Sequence, residues 1–339
     1  MIRTARLGLL VVLAALPAQA QPDSVATDRL VLRIDPEAGS LTLVVRSGPG
    51  SIHKEVPVPG LTLDGVHQRG YEPAGPRTWQ AEEVRMEVEA LGPRTLSVTW
   101  TPRAGEGYRD FDLHLRSDDW TRYYGTGERF NALDQRGYIL PNRTDDRYGN
   151  KGVGTHKPIP FFMSTQGFGV WVDTFAPGLL DLSGTERFET HLRFRERALR
   201  VVFFGGPSLA HILDAFTAQT GRPRVPPPWA FGLWKSRDKH HNTDSVYVDV
   251  EKLRAHDIPA SVLVLDSPWE VGYNDFEVNR QQFANADEMF ADIERQGLVL
   301  CLWLTPFVNH TNVQDAPGIT DSTSTYAGAA AAGYLVEDA

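Results

Sequence analysis

Two hydrophobic periods divide this chain. From about residue 25 to residue 204, apolar and polar side chains alternate with period two. Leu30-Val31-Leu32-Arg33-Ile34 and Leu41-Thr42-Leu43-Val44-Val45 are short runs of this kind, with Pro36-Glu37-Ala38-Gly39 as the turn between them. Val84-Arg85-Met86-Glu87-Val88-Glu89 alternates cleanly, as do Leu96 to Trp100 and Phe111 to Leu115. Gly169 to Val172 and Leu199 to Phe204 are further runs. Many short strands separated by Gly, Pro and Asp turns predict a β-sandwich.

The period then changes. Over residues 208–220, Leu209, Ile212, Leu213 and Phe216 fall on one helical face, and Gly221 is a natural stop. Arg222-Pro223-Arg224-Val225-Pro226-Pro227-Pro228 is too rich in proline for a helix or a central strand, so it predicts an extended connector and a domain boundary. Beyond it the pattern is β-α-β-α-β. Ala230 to Trp234, Ser261 to Leu265 and Leu298 to Leu304 read as strands, and Thr243 to Arg254 and Ala286 to Gln296 as helices. Nearly continuous apolar strands separated by helices predict a parallel sheet with right-handed crossovers. An open doubly wound sheet and a (β/α)₈ barrel both fit. No glycine fingerprint follows the first strand, so a dinucleotide site has no support. A barrel takes about 250 residues, and too few follow the linker, so a barrel here holds only its first three units. A last helix-compatible stretch, Thr325 to Ala332, leads into Gly333 to Ala339, which reads as the start of another strand.

The first twenty residues stand apart. Arg3 and Arg6 precede an apolar run from Leu7 to Leu16, and Pro17-Ala18-Gln19-Ala20 ends it with a small-x-small site. That is the layout of a cleaved secretory signal peptide, and its run is short of the roughly 20 residues that span a bilayer. The expected product is exported, to a periplasm or to the medium, with no membrane segment left after cleavage. Cleavage takes the basic side chains from 34 to 32 against 43 acidic ones, which disfavours nucleic acid and anionic membranes as partners. Cys301 is the one cysteine, so no disulfide forms within the chain, and its apolar strand predicts an inert thiol.

In a βα sheet, ligands meet the C-terminal ends of the strands. Those ends carry Lys235 to His241, then Asp266 to Glu270, then Thr305 to Asn309. Carboxylates together with aromatic rings suit a sugar, since hydroxyls donate to the former and the apolar ring face packs on the latter. Asp266 directly follows the almost continuous apolar strand Ser261 to Leu265, a position that fits either a ligand contact or a helix cap or ion pair at the rim. Trp303, inside the third run, reads from position alone as core packing. His240 and His241 have no partners at ligand spacing and read as a solvated loop.

Several segments, in order, resemble glycoside hydrolase family 31. Tyr124-Gly125-Thr126-Gly127-Glu128-Arg129-Phe130 is similar to the family's YGxGER segment. Lys157-Pro158-Ile159-Pro160-Phe161-Phe162-Met163-Ser164, followed by Gly167-Phe168-Gly169-Val170, is similar to the P-F-x-x-S…G-x-G-V stretch after it. Gly221-Arg222-Pro223 through Trp234-Lys235-Ser236-Arg237 resembles the entry into the barrel. Asp257-Ile258-Pro259, leading to Val264-Leu265-Asp266-Ser267-Pro268-Trp269, resembles its second strand, and Gly297 to Pro306 its third. Ser267-Pro268 departs from the usual apolar-then-acid pair, and His156-Lys157 stands where a tyrosine is common.

The resemblance implies a galactose-mutarotase-like β-sandwich over residues 21–225, then the first three βα units of a (β/α)₈ TIM barrel over 226–339, after a signal peptide of residues 1–20. It also implies a retaining α-glycosidase of the α-glucosidase/α-xylosidase type that hydrolyses O-glycosyl bonds of oligosaccharides without metal or organic cofactor. The family's nucleophile and acid/base aspartates follow its fourth and sixth strands, so both are expected beyond Ala339. The carried-over positions are substrate-binding ones. Asp266 corresponds to an aspartate that holds sugar hydroxyls, and Trp303 to a pocket residue, which replaces the core reading. Asp238 falls where a first-strand loop residue lines the pocket. Asp146 (or Asp145) resembles an aspartate on a sandwich loop that reaches the sugar. A non-catalytic exported carbohydrate-binding protein is the alternative.

Overall fold

The computed structural model describes residues 24–35, 40–46, 53–145, 152–305, 308–311, 317–320 and 324–335. The expected signal segment, the 36–39 turn, Asp146, Pro306, Phe307 and the 336–339 tail lie outside the described residues. The chain divides into two compact units, Met1–Arg222 and Pro223–Ala339.

The first unit is a sandwich of antiparallel sheets. An eight-stranded sheet runs, in spatial order, Tyr123–Gly127, Pro158–Ser164, Phe168–Val172, Leu199–Gly205, Thr95–Pro102, Val84–Gly92, Thr78–Gln80 and Glu72–Gly75. A six-stranded sheet runs Ile139–Asn142, Gly178–Leu182, Glu189–Glu196, Arg109–Arg116, Gly60–Leu63 and Val66–His67. A four-stranded sheet, Ser24–Ala26, Leu30–Asp35, Ser40–Arg46 and His53–Val58, completes the unit. One apolar cluster joins all three. Val84, Met86 and Val88 face Phe111, Leu113 and Leu115 through it, and Trp100 is wholly buried. Alternation is the reason: each of these strands sends its odd or even residues inward and its polar ones to water.

Leu199–Gly205 breaks the alternation because both of its faces are covered. Val201 and Phe203 enter the main cluster, while Val202 and Phe204 meet the helix Leu209–Thr220. That helix lays Ile212, Ala215 and Phe216 on the outer face of the eight-stranded sheet, and the Phe161 and Phe216 rings stack at 3.8 Å. Gly169 permits the close approach, since a Cβ there would collide with Ile212 Cγ2. Each such side chain, fully buried, contributes about 1.5–3 kcal/mol.

The second unit has three parallel strands in chain order, Trp234–Lys235, Val262–Leu265 and Val299–Leu302. The helices between them, Thr243–Ala255 and Ala286–Arg295, bury Val246, Val250, Met289 and Ile293 against Leu263 and Leu265. Asn242 and Ser245 form a reciprocal capping box at the first helix. Gly297, at φ +83°, closes the second in a Schellman turn, its N–H on Glu294 O and the next N–H on Ile293 O.

The first strand corrects the sequence expectation. Ala230 to Trp234 is not a strand; Pro228–Phe231 is a 3₁₀ turn and only Trp234–Lys235 pairs. Pro228 supplies a preset φ at the first helical position, where no N–H is needed. Phe231, Leu233 and Trp234 are consequently exposed within this unit. The last helix is Ser324–Ala331, and residues 333–335 do not form a strand.

Candidate functional site

The register places two of the expected residues side by side. Leu265 pairs with Leu302 as the last residues of their strands, and Trp303 N–H donates to Leu265 O at 2.9 Å. Asp266 and Trp303 are therefore the first residues past two adjacent parallel strands, and both are half-buried. Asp266 Oδ1 accepts its neighbour's N–H, from Ser267, at 2.7 Å.

The loop after Asp266 is tied to the end of the third strand. Trp269 Nε1 donates to Trp303 O at 2.7 Å, and Asn274 Nδ2 donates to Thr305 Oγ1 at 2.9 Å. The Tyr273 ring lies 5.9 Å from that of Trp303. Trp269 is itself buried in the core beneath, so of the two tryptophans only Trp303 is at the rim. Glu270 is also buried. Burial pushes its carboxyl above the ordinary glutamate value, although backbone N–H groups of Asn274 and Phe276 oppose the shift. Glu270 thus fastens the loop from beneath. Asn274 and Phe276 take left-handed backbone (φ +61° and +60°), and Phe276 leaves its ring 64% exposed. A bulky residue held at positive φ costs of order 1–3 kcal/mol, a strain that concentrates at ligand sites. Tyr273, Asn274 and Phe276 are residues that the sequence analysis did not single out; the polar stretch Gly272-Tyr273-Asn274-Asp275 carries no local signal for them.

The first strand's loop is organised by Asp249, a buried residue of the first barrel helix. Its carboxylate receives Lys235 Nζ at 3.0 Å, Arg237 Nε at 2.8 Å and His240 Nε2 at 3.1 Å. Burial raises the Asp249 pKa, but the three donors outweigh it and hold the carboxyl below its ordinary value. His240 is 2% exposed, not in a solvated loop as expected, and burial lowers its pKa despite the carboxylate. Its burial follows from Asp249, a partner nine residues on that only the helix brings back. His241 and Asp238 stay exposed. No bond brings Asp238 to Asp266 or Trp303 among the described residues. Cys301 is half-buried.

On the sandwich unit, the residues flanking the segment that holds Asp146 line a cleft of about 590 Å³. Asn142, Arg143, Thr144, His156, Trp171 and Phe175 are among its lining residues, Phe175 fully exposed. Asp173 is held by Arg200 at 2.6 Å.

The family description "Glycosyl hydrolases family 31 TIM-barrel domain" matches residues 223–339, and "Glycosyl hydrolase 31 N-terminal galactose mutarotase-like domain" matches residues 33–181. The alpha-xylosidase XylQ of Lactiplantibacillus pentosus is 27% identical over 216 residues, which is 62% of this chain and 28% of that protein. An alpha-xylosidase of Emericella nidulans is 27% identical over 61% of this chain and 27% of its own length. The chain thus spans just over a quarter of the length of these relatives. Among solved structures, a GH31 dextranase of Flavobacterium johnsoniae complexed with isomaltotriose shares the fold at a TM-score of 0.60, with 19% identity, over 94% of this chain and 41% of that one. A GH31 alpha-xylosidase from a soil metagenome complexed with xylose does so at 0.58, with 15% identity, over 92% and 50%.

Proposed function

This chain belongs to glycoside hydrolase family 31, and from that membership we propose that it forms the sandwich and first barrel strands of a retaining α-glycosidase acting on α-linked oligosaccharides. The observation that carries the reading is the pair Asp266 and Trp303 at the ends of neighbouring parallel strands. A carboxylate there accepts hydrogen bonds from two sugar hydroxyls, and an indole beside it packs the apolar face of the ring. The family resemblance also nominates Asp146, in the sandwich unit, and Asp238, on the loop after the first barrel strand, as substrate-binding residues.

Retaining hydrolysis needs a carboxylate that attacks the anomeric carbon and a second carboxyl about 5–5.5 Å away. The second protonates the leaving oxygen, then takes a proton from the water that releases the sugar. We assign both groups to chain beyond Ala339, so the 339 residues bind sugar without cleaving it. The length of the matched relatives supports that assignment. The proposed reaction uses no metal or organic cofactor, and it takes place outside the cytoplasm once residues 1–20 are removed.

The test is Asp266→Ala in the full reading frame that contains this chain, assayed on aryl α-glucosides and α-xylosides. Loss of kcat/KM by at least about a hundredfold, or about 2.7 kcal/mol, is expected because the hydroxyl contacts strengthen in the transition state. Unchanged kinetics would reduce Asp266 to a rim residue. A reading frame that stops at Ala339, with sugar bound and not turned over, would establish the non-catalytic carbohydrate-binding protein instead.

A further inference from the structure

The outer face of the six-stranded sheet carries a cluster with no part in the proposed sugar site. Along Arg109–Arg116, Phe111, Leu113 and Leu115 point into the core, which sends Asp112, His114 and Arg116 outward. Along Glu189–Glu196 the outward residues Glu189, His191 and Arg193 meet them in register, with His114 opposite His191 and Asp112 opposite Arg193. The two imidazole rings lie 4.3 Å apart. An outer sheet face is ordinarily wet, yet His191 is 6% exposed and the Nε2 atoms of both histidines are buried without a hydrogen-bond partner.

The surrounding carboxylates explain what such a pair is suited to. Asp112 stands on one side of the rings, 3.2 Å from His191 Nδ1 and 3.5 Å from His114 Nε2. Glu189 stands on the other, 3.6 Å from His191 Nε2 and 3.7 Å from His114 Nδ1. So the ring nitrogens sort into two sets. His191 Nδ1 and His114 Nε2 both approach Asp112, and one ligand atom from each of the three residues lies within 4.8 Å of the other two. Ligands about 2.0–2.2 Å from a tetrahedral cation stand roughly 3.3–3.6 Å from one another, so little movement closes the set. The opposite nitrogens of both rings face one Glu189 oxygen at 3.6 and 3.7 Å, from which a small shift would make the carboxylate–histidine–metal contact that fixes a ligand's tautomer.

The cationic neighbours leave the set open. Arg193 Nε holds Asp112 Oδ2 at 2.9 Å and Arg116 holds Glu189 Oε1 at 2.9 Å, so Asp112 Oδ1, which only His191 Nδ1 approaches at 3.2 Å, is the oxygen no arginine holds and the one a cation would take from that imidazole. A third imidazole closes the row. Gly60 is the register partner of His114, and the His67 ring lies over it, since a Cβ on Gly60 would collide with His67 Cε1. Gly60 sits at φ +150°, so glycine is what makes room.

We infer that Asp112, His114 and His191 bind one divalent transition-metal cation of the zinc class, with Glu189 orienting the two imidazoles. Two nitrogens and one carboxylate oxygen select zinc or its imidazole-loving neighbours over calcium and magnesium, which require oxygen ligands. The cation staples two neighbouring strands of the sandwich, so its effect falls on stability.

The test uses the 339-residue chain, untagged and stripped with chelator, titrated with Zn²⁺ and with Co²⁺. One equivalent binds, Co²⁺ develops the visible band of low coordination number, and Tm rises with Zn²⁺ but not with Ca²⁺. His191→Gln and Glu189→Gln each weaken Zn²⁺ by about tenfold or more. His241→Gln, which alters the exposed histidine pair of the second unit, leaves it unchanged. In the unaltered chain, Cu²⁺ and ascorbate oxidise His114 and His191 preferentially, mapped by peptide mass, a readout that no folding defect of a variant can imitate. Absence of stoichiometric Zn²⁺ binding, binding lost in His241→Gln, or oxidation mapped elsewhere would overturn the assignment.

Discussion

Two strands with the same kind of sequence meet different fates in the two units. Leu199–Gly205 and Val299–Leu302 are both nearly unbroken apolar runs. The first is buried on both faces, by the opposite sheet and by the Leu209–Thr220 helix. Every residue of the second remains half-exposed within its own unit. There the helices cover the Leu263, Leu265, Leu300 and Leu302 side, while Val264 and its register partner Cys301 lie on the other. A continuous apolar run therefore announces that both faces require cover, and says nothing of what provides it. The sandwich satisfies that requirement from its own chain. The second unit satisfies half of it and leans on a polar hub for the rest of its order.

The largest expected effect falls on that hub. Asp249→Ala leaves Lys235, Arg237 and His240 without their shared acceptor. The Lys235 and Arg237 side chains are 26% and 37% exposed, so water repays part of the loss. A cost of about 2–3 kcal/mol is expected, below the upper range for a broken buried ion pair. The folded-state pKa of Asp249 is lowered, so its contribution is fully present above the ordinary aspartate value of 3.8 and disappears as pH falls through the folded value. Urea unfolding of the parent and the variant should differ near neutrality and converge in acid. A constant difference down to the lowest pH would assign the effect to packing rather than charge.

A matched pair sharpens the contrast between the units. Val202→Ala removes two methyl groups from a strand face that the helix covers, and about 2 kcal/mol should be lost. Val264→Ala makes the same change at a half-buried position of the second unit, and less than about 1 kcal/mol should be lost. Equal losses would mean that Val264 is covered in solution.

How much of this was legible follows from the same physics. Sandwich strands were readable because one face is wet and alternation survives, as in Val84–Gly92. Helix ends were readable where a side chain does the capping, as at Asn242, and where glycine closes the turn, as at Gly297. The strand expected at Ala230 to Trp234 was not, because Pro228 starts a 3₁₀ turn there and only Trp234–Lys235 pairs. That Asp266 stands at a strand end was legible from the apolar run Val262 to Leu265 before it. Trp303 needed the family resemblance, since Trp269 and Trp303 look alike in sequence and only the loop's return into the core separates them. His240 depended on Asp249, and the His114 and His191 pair on a strand register spanning 77 positions of chain. Neither pairing has a local signal.

The smallest effect is the most specific to the loop that frames the candidate site. Glu270 lies beneath that loop, with Oε2 accepting the Phe276 N–H at 3.3 Å and Oε1 buried without a partner. Desolvation raises its folded-state pKa above 4.5, so the folded chain prefers the neutral acid. Its contribution is favourable below the unfolded value and is lost as pH rises through the folded one. Glu270→Gln keeps an acceptor for Phe276 and removes the buried charge. The variant should therefore melt slightly higher than the parent near neutrality and at the same temperature well below the glutamate value, by calorimetry at the two pH values. Should sugar binding weaken while stability rises, the charge would have been retained for the loop's conformation at the expense of the unit's stability. Should both rise together, Phe276 is held at positive φ by the fold alone, and the strained loop belongs to the architecture rather than to the site.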